Sequence, residues 1–432
     1  MTRMIKVSPF EYADKSQMKD YVLKEIESRY PAETETVEGD MSWQEFMELG
    51  RNFKGEYLAP VDPDRAVFGA YTSGSTGISK LVIHSSANIV ATAYQMSIFI
   101  PPSDVQEVWW TPILPPALIA VTVSMTIFPL STGLMVSLDP FCPLENIDIE
   151  FMDRKPNFWA LIPLYCEMLM SSERIPEDYD MSHLRTIGAG AEAMNDRKYA
   201  EVEEFFHKHN VQAKLSAGYG QSEGCSNLTL PNPMFPLEDG CVGMPMTATV
   251  LGVFDKDLNE LNYGESGELC MTGPSMMLHY SGWRGEELTE QTLVEHPDGN
   301  TWLHTGDEAY ITEQGIVHIL GRGEIKAYGD KPLHVMRMET KTVRTPGVKD
   351  GFFCLVPDQE HEGYYRPYLF VILDGTKTLE EVAELLKDTL EEHEYPVEIR
   401  EITERPYFHF KTDRKGLTAQ ILKELEQAKE EK

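Results

Sequence analysis

From Ala66 to Gly218 short apolar runs of strand length keep recurring, with helix-length stretches between some of them. The runs are Ala66–Tyr71, Lys80–His84, Val108–Pro112, Met135–Leu138, Asn157–Ile162, Thr186–Ala189 and Lys214–Gly218; a helix opens after Ser85–Ser86, and Arg197–His209 reads as another. Strands alternating with helices bury their apolar faces as a layered α/β body. At 432 residues the chain exceeds what one core holds, so more than one domain is expected. Ahead of this body, Lys15–Tyr30 and residues 41–53 read as two helices of an accessory region. Beyond Pro231 the text turns Gly-punctuated and β-rich (GMPMTATVLGVFD, GESGELCMTGP, TGDEAYITEQGIVHILGR), which predicts hairpins on a smaller sheet. The last hundred or so residues read as a separate α+β unit. Gly351–Val356 and Tyr368–Leu373 are strand-like, and Thr378 with Glu381 three places on forms a capping box before Val382, Leu385, Leu386 and Leu390.

Charge and cysteine usage narrow the partners. A net charge of −32 argues against nucleic acid and against an anionic membrane surface, both of which need a basic face. The apolar region Pro112–Leu138 is broken by Pro115, Pro116, Pro129 and Gly133, which favours buried helix and strand over a membrane span. With no signal-like stretch in the first residues, a soluble, cytoplasmic protein is expected. The six cysteines are scattered without a CxxC pair, and His84, His304 and His318 lack metal-ligand spacing, so no zinc or redox motif is suggested.

The chemistry-bearing segment is Tyr71-Thr-Ser-Gly-Ser-Thr-Gly-Ile-Ser-Lys80. Gly74 and Gly77 allow tight turns that aim successive N–H groups to one side. Thr72, Ser73, Ser75 and Thr76 add hydroxyl donors, and Lys80 adds a mobile charge. Such a loop suits the β- and γ-phosphates of ATP, although it is not a Walker A motif. A Ser/Gly linker would share the composition but not the flanking β runs or the terminal lysine.

This loop resembles the [YF]TSGTTGxPK loop of the adenylate-forming superfamily of acyl-CoA synthetases, peptide-synthetase adenylation domains and luciferases, with Ser75 and Ser79 as mild departures. Further motifs follow in the family's order. Gly188-Ala189-Gly190 resembles the Gly-rich turn beside adenine and the substrate carboxylate. Gly218-Tyr-Gly-Gln-Ser-Glu resembles YGxTE, which implies Tyr219 against adenine, Gly220 in the turn, Ser222 on phosphate and Glu223 on Mg²⁺. Thr305-Gly-Asp307 with Gly321-Arg322 is similar to the TGD…GR run, implying Asp307 on the ribose hydroxyls and Arg322 on ribose or phosphate. Glu324 occupies the family's hinge position. Pro406–Leu417 resembles the closing PxTxxGKxxR motif, one residue short, and implies Lys411 as the mobile catalytic lysine beside Glu223 and Lys80. A surface lysine in a basic cluster with Arg414 and Lys415 is the other reading of Lys411.

The resemblance implies a large layered α/β N-terminal domain over 1–321 and a small mobile α+β lid over 322–432. It implies ATP, Mg²⁺ and coenzyme A as cofactors, and a two-step ligase that adenylates a carboxylic acid and then forms a thioester. The alternatives are transfer to a carrier protein or another acceptor, and a nucleotide-binding module without turnover. Two departures bear on this. Much of the subdomain that normally precedes the phosphate loop is absent, and the stretch after Arg322 is shortened, leaving Gly329 as the candidate for the glycine along which pantetheine enters. The segment WWTPILPPALIAV carries no acid to hold an ammonium, so an apolar acid is expected rather than an amino acid. Trp109–Trp110 and Phe158–Trp159 are candidates for the acyl pocket, though aromatic strand residues are commonly plain core.

Overall fold

The computed structural model describes residues 4–30, 39–56, 58, 60–72, 79–100, 105–190, 192, 194–230, 240–322, 326–408 and 411–430. Its centre is a five-stranded, all-parallel sheet in the order Met135–Asp139, Val108–Pro112, Phe158–Leu161, Thr186–Ala189, Leu215–Ala217. Parallel strands buried on both faces read as near-continuous apolar runs, and VWWTP and FWAL are such runs. Trp110, Phe151, Trp159, Tyr165 and Phe206 fill the core between this sheet and the helices Ile147–Arg154, Pro163–Met170 and Asp196–Lys208. The paired tryptophans are therefore core residues: Trp110 is buried and its ring centroid lies 5.0 Å from that of Trp159.

A three-stranded antiparallel sheet packs the hairpin Ala66–Tyr71/Leu81–Ser85 against His279–Ser281. The expected β-rich stretch forms a five-stranded antiparallel sheet built on the long strand Thr301–Ile311, which pairs with Gly267–Thr272, Leu293–Glu295 and Val317–Arg322. The region from Pro112 to Leu138 carries a π-helical segment, Ala120–Ile127, before the short helix Phe128–Ser131. No helix among the described residues is long and apolar enough to cross a membrane.

The C-terminal unit has the strands Val348–Pro357, Tyr365–Leu373 and Glu398–Glu401, flanked by the helices Val335–Val343, Leu379–Thr389 and Arg414–Glu430. Thr378 caps its helix through the Glu381 N–H, with Glu381 closing the box. Gly329, with φ of +69°, sits in the turn of the ribbon Ala327–Tyr328/Lys331–Pro332.

One expected helix is shorter than its apolar pattern. Instead of Lys15–Tyr30, the α-helix spans Asp20–Arg29 after a 3-10 turn at Lys15–Gln17. Asp14 caps that turn by accepting from the Ser16 N–H, and Met18–Lys19 is extended. The break lets Lys19 Nζ donate to Glu150 at 2.8 Å, anchoring the accessory helix to the central body.

Candidate active site

Thr72 and Lys80 stand at the ends of the connection of an antiparallel hairpin whose last pair is Tyr71 with Leu81. Its base is stapled twice: the Thr72 N–H donates to the Lys80 carbonyl at 2.9 Å, and the Lys80 N–H donates to Thr72 Oγ1 at 3.0 Å. Ser73, Gly74, Ser75, Thr76 and Gly77 lie outside the described residues. Lys80 Nζ donates to Tyr280 Oη at 3.1 Å, and Tyr280 in turn donates to Glu223 Oε1 at 2.6 Å. Lys80 Nζ is also 3.8 Å from that carboxylate oxygen. Burial and then the Glu223 charge push the Tyr280 phenol well above its ordinary range, so it stays a neutral donor between the cation and the anion.

The strand end Gly188–Ala189 meets the segment 218–224 directly: the Gly218 N–H donates to the Ala189 carbonyl at 3.1 Å, and the Gly190 N–H donates to Leu161 at 3.0 Å. Tyr219 Oη donates to Asp307 Oδ2 at 2.5 Å, which joins two motifs 88 residues apart. Asp307 faces Arg322 across the antiparallel pair of strands. The Arg322 side chain and Glu324 lie outside the described residues. Ser222 begins a single 3-10 turn, and its carbonyl accepts from His84 Nε2 at 2.7 Å. Burial lowers the pKa of His84, which favours the neutral ring at this contact.

Gly220 is required by packing. A Cβ there would stand 1.7 Å from the Ser226 carbonyl oxygen, a backbone atom that cannot swing aside. We expect Gly220→Ala to cost about 1–3 kcal/mol or more by overpacking, read as a lowered midpoint in thermal unfolding. An unchanged midpoint would show that the Gly220–Ser226 approach is not fixed.

Lys411 begins the strand Lys411–Thr412, paired with Tyr407–Phe408. The neighbouring Thr412 N–H donates to both oxygens of Glu192, at 3.1 and 3.2 Å, and Glu192 lies two residues beyond Gly190. Arg414 bridges Glu192 at 3.2 Å and Glu339 at 2.8 Å. Arg405 chelates Asp350 and donates to Thr412 Oγ1, and Tyr407 Oη donates to Glu167 at 2.9 Å. Arg414, three residues beyond Lys411, is thus turned into ion pairs. The strand of Lys411 is held to Glu192 through the Thr412 N–H.

Two groups at this site escape sequence reading. Tyr280 is 200 residues from Lys80 and becomes its neighbour only through the pairing of His279–Ser281 with Leu81–Ser85. Glu192 looks like one polar residue in a small-residue turn until the C-terminal strand docks on it.

The donor set fits ATP and Mg²⁺. Glu223 is a nearly buried carboxylate facing a lysine, the kind of oxygen ligand Mg²⁺ shares with phosphates. Asp307 is a nearly buried carboxylate already accepting one hydroxyl, which suits a second from a ribose.

A family model described as AMP-binding enzyme matches residues 8–281, well over half of the chain. Among curated relatives, a long-chain-fatty-acid–CoA ligase of Salmonella typhi is 29% identical over 281 residues, covering 63% of this chain and 47% of the relative. A 4-coumarate–CoA ligase 2 of Nicotiana tabacum is 25% identical over 337 residues, covering 74% of this chain and 58% of the relative. The chain spans about half the length of the curated relatives it matches. Among solved structures, ATP-bound MatB from Rhodopseudomonas palustris superimposes with a TM-score of 0.74 at 21% identity, over 90% of this chain and 76% of that one. An O-succinylbenzoate coenzyme A synthetase (MenE) from Bacillus subtilis, in complex with ATP and magnesium ion, gives 0.66 at 20% identity over 85% and 72%. These structural likenesses establish the fold: a large layered α/β body followed by a smaller α+β unit.

Proposed function

The chain belongs to the AMP-binding enzyme family, and from that premise we propose that it activates a carboxylic acid as its acyl-adenylate and passes the acyl group to the thiol of coenzyme A. The observation that carries this reading is the tie of the Lys411 strand, through the Thr412 N–H, to Glu192, two residues beyond Gly190. A nucleotide-binding module without turnover has no use for a second lysine delivered to that place by another part of the chain.

In the first step an oxygen of the substrate carboxylate attacks the α-phosphorus of ATP, the bond to the β-phosphate oxygen breaks, and pyrophosphate leaves. Lys80, with the phosphate loop, holds the departing phosphates; Asp307 and Tyr219 hold the nucleoside. Lys411 stabilises the charge that develops between the carboxylate and the α-phosphate. Mg²⁺, held by Glu223, supplies charge neutralisation on the phosphate oxygens when bound. In the second step a thiolate attacks the acyl carbon and AMP leaves. For that step the unit 322–432 rotates about Arg322–Glu324 and withdraws Lys411. The acid-free segment from Trp109 to Val121 favours an apolar acid over an amino acid.

ATP–pyrophosphate exchange against fatty and aryl carboxylic acids, repeated with coenzyme A and mass detection of products, tests the reading. Exchange with one class of acid and a CoA thioester supports it. Thioester formation only on a phosphopantetheinyl carrier protein would move the acceptor there, and no exchange despite ATP binding would overturn the ligase reading.

The docked arrangement also makes a prediction of its own. Charge-assisted hydrogen bonds of the Glu192 kind contribute about 1.5–3 kcal/mol. Glu192→Gln should therefore lower adenylation by about 10–100-fold while thioester formation from supplied acyl-adenylate is undiminished. An equal loss in both steps would mean that Glu192 does not select the docked state.

A further inference from the structure

The strand that presents Asp307 carries a second constellation on its other side. Cys270 and His304 are cross-strand partners on Gly267–Thr272 and Thr301–Ile311, and His296 sits in the tight turn before the latter strand. That turn is closed by the His296 N–H donating to the Asn300 carbonyl at 3.0 Å. One ligand atom from each of Cys270, His296 and His304 lies within 4.8 Å of the others, and the two imidazole Nε2 atoms are 2.9 Å apart. Ligand atoms around a tetrahedral zinc lie about 3.3–3.6 Å apart, so small side-chain shifts close this set on one ion. Phe254 and Trp302 wall the group: His296 meets Phe254 edge-on at 4.5 Å and stacks on Trp302 at 5.7 Å.

The surrounding bonds prepare the nitrogens for metal. His304 Nδ1 lies 2.9 Å from Glu268 Oε2, where Nδ1–H donates to the carboxylate. That tautomer leaves the Nε2 lone pair of His304 facing His296, and carboxylate–histidine pairs of this kind orient metal ligands. His296 is 3% exposed, and its Nε2–H donates to that lone pair at 2.9 Å, so a bound ion would take the place of this proton between the two rings.

We infer that Cys270, His296 and His304 form a zinc site, with Glu268 orienting His304. A thiolate with two imidazoles is a borderline-soft set suited to Zn²⁺ and unsuited to Mg²⁺, so this ion is separate from the one assigned to Glu223. The other Glu268 oxygen accepts the Gly306 N–H at 3.1 Å, which ties the site to the residue before Asp307.

The test uses the full chain stripped with a chelator and titrated with Co²⁺ as the spectroscopic stand-in, then with Zn²⁺. One equivalent should bind, with visible bands of a tetrahedral ion and a thiolate-to-cobalt charge-transfer band, and Zn²⁺ should displace it and raise the unfolding temperature. Cys270→Ser should abolish the charge-transfer band, whereas Cys354→Ser in the C-terminal unit should keep it. Glu268→Gln should weaken Zn²⁺ by about 10–100-fold. Substoichiometric binding, or a charge-transfer band that survives Cys270→Ser, overturns the site. Should Cys270→Ser fail to fold, the wild-type stoichiometry and spectrum decide alone.

Discussion

Lys411→Ala is expected to lower ATP–pyrophosphate exchange by about 10²–10³-fold, the range found when one donor to a developing oxyanion is removed. ATP affinity should change little, because the phosphate loop, Asp307 and Tyr219 remain in place. Thioester formation from supplied acyl-adenylate should also persist, since Lys411 serves only the first step in the proposed scheme. The prediction follows from where the strand lies: Thr412 is fixed to Glu192 by two contacts, and Lys411 precedes it by one residue. Exchange and equilibrium ATP binding measured side by side check it. Exchange within twofold of the wild type would remove Lys411 from the chemistry, and a parallel loss of ATP binding would make it a nucleotide anchor instead.

Glu223→Gln should have an effect of similar size by a different route. The substitution keeps the shape and the bond from Tyr280 Oη but removes the anion that faces Lys80 and the proposed Mg²⁺. Exchange is expected to fall by about 100-fold, with the half-saturating Mg²⁺ concentration raised. Tyr280→Phe removes one neutral link in the same chain and should cost only about 1 kcal/mol, or about fivefold. Steady-state exchange over a Mg²⁺ series separates the two. A Glu223→Gln enzyme with an unchanged Mg²⁺ dependence would move the metal ligand elsewhere.

Local chemistry explains why so much of the architecture is legible in the primary text. VWWTP and FWAL read as buried parallel strands because nothing polar interrupts them, and both lie in the central sheet. Thr378 with Glu381 announces a helix start because both halves of a capping box lie within one turn. The hairpin around the phosphate loop is visible because the hydroxyl- and glycine-rich stretch is flanked by β runs. The helix expected from Lys15 begins only at Asp20: Asp14 caps a 3-10 turn, and the extended Met18–Lys19 that follows places Lys19 on Glu150, more than a hundred residues away.

The amino-acid sequence by itself determined the layered α/β class, the capped helix start at Thr378 and the family's motif order, since each depends on side chains within a few positions of one another. Tertiary structure alone decided which distant groups meet. Cross-strand pairing placed Tyr280 between Lys80 and Glu223 and set His304 beside Cys270, while docking of the C-terminal strand gave Glu192 its role. Register and docking are settled by the burial of whole faces, a property of the assembled layers that no single segment carries.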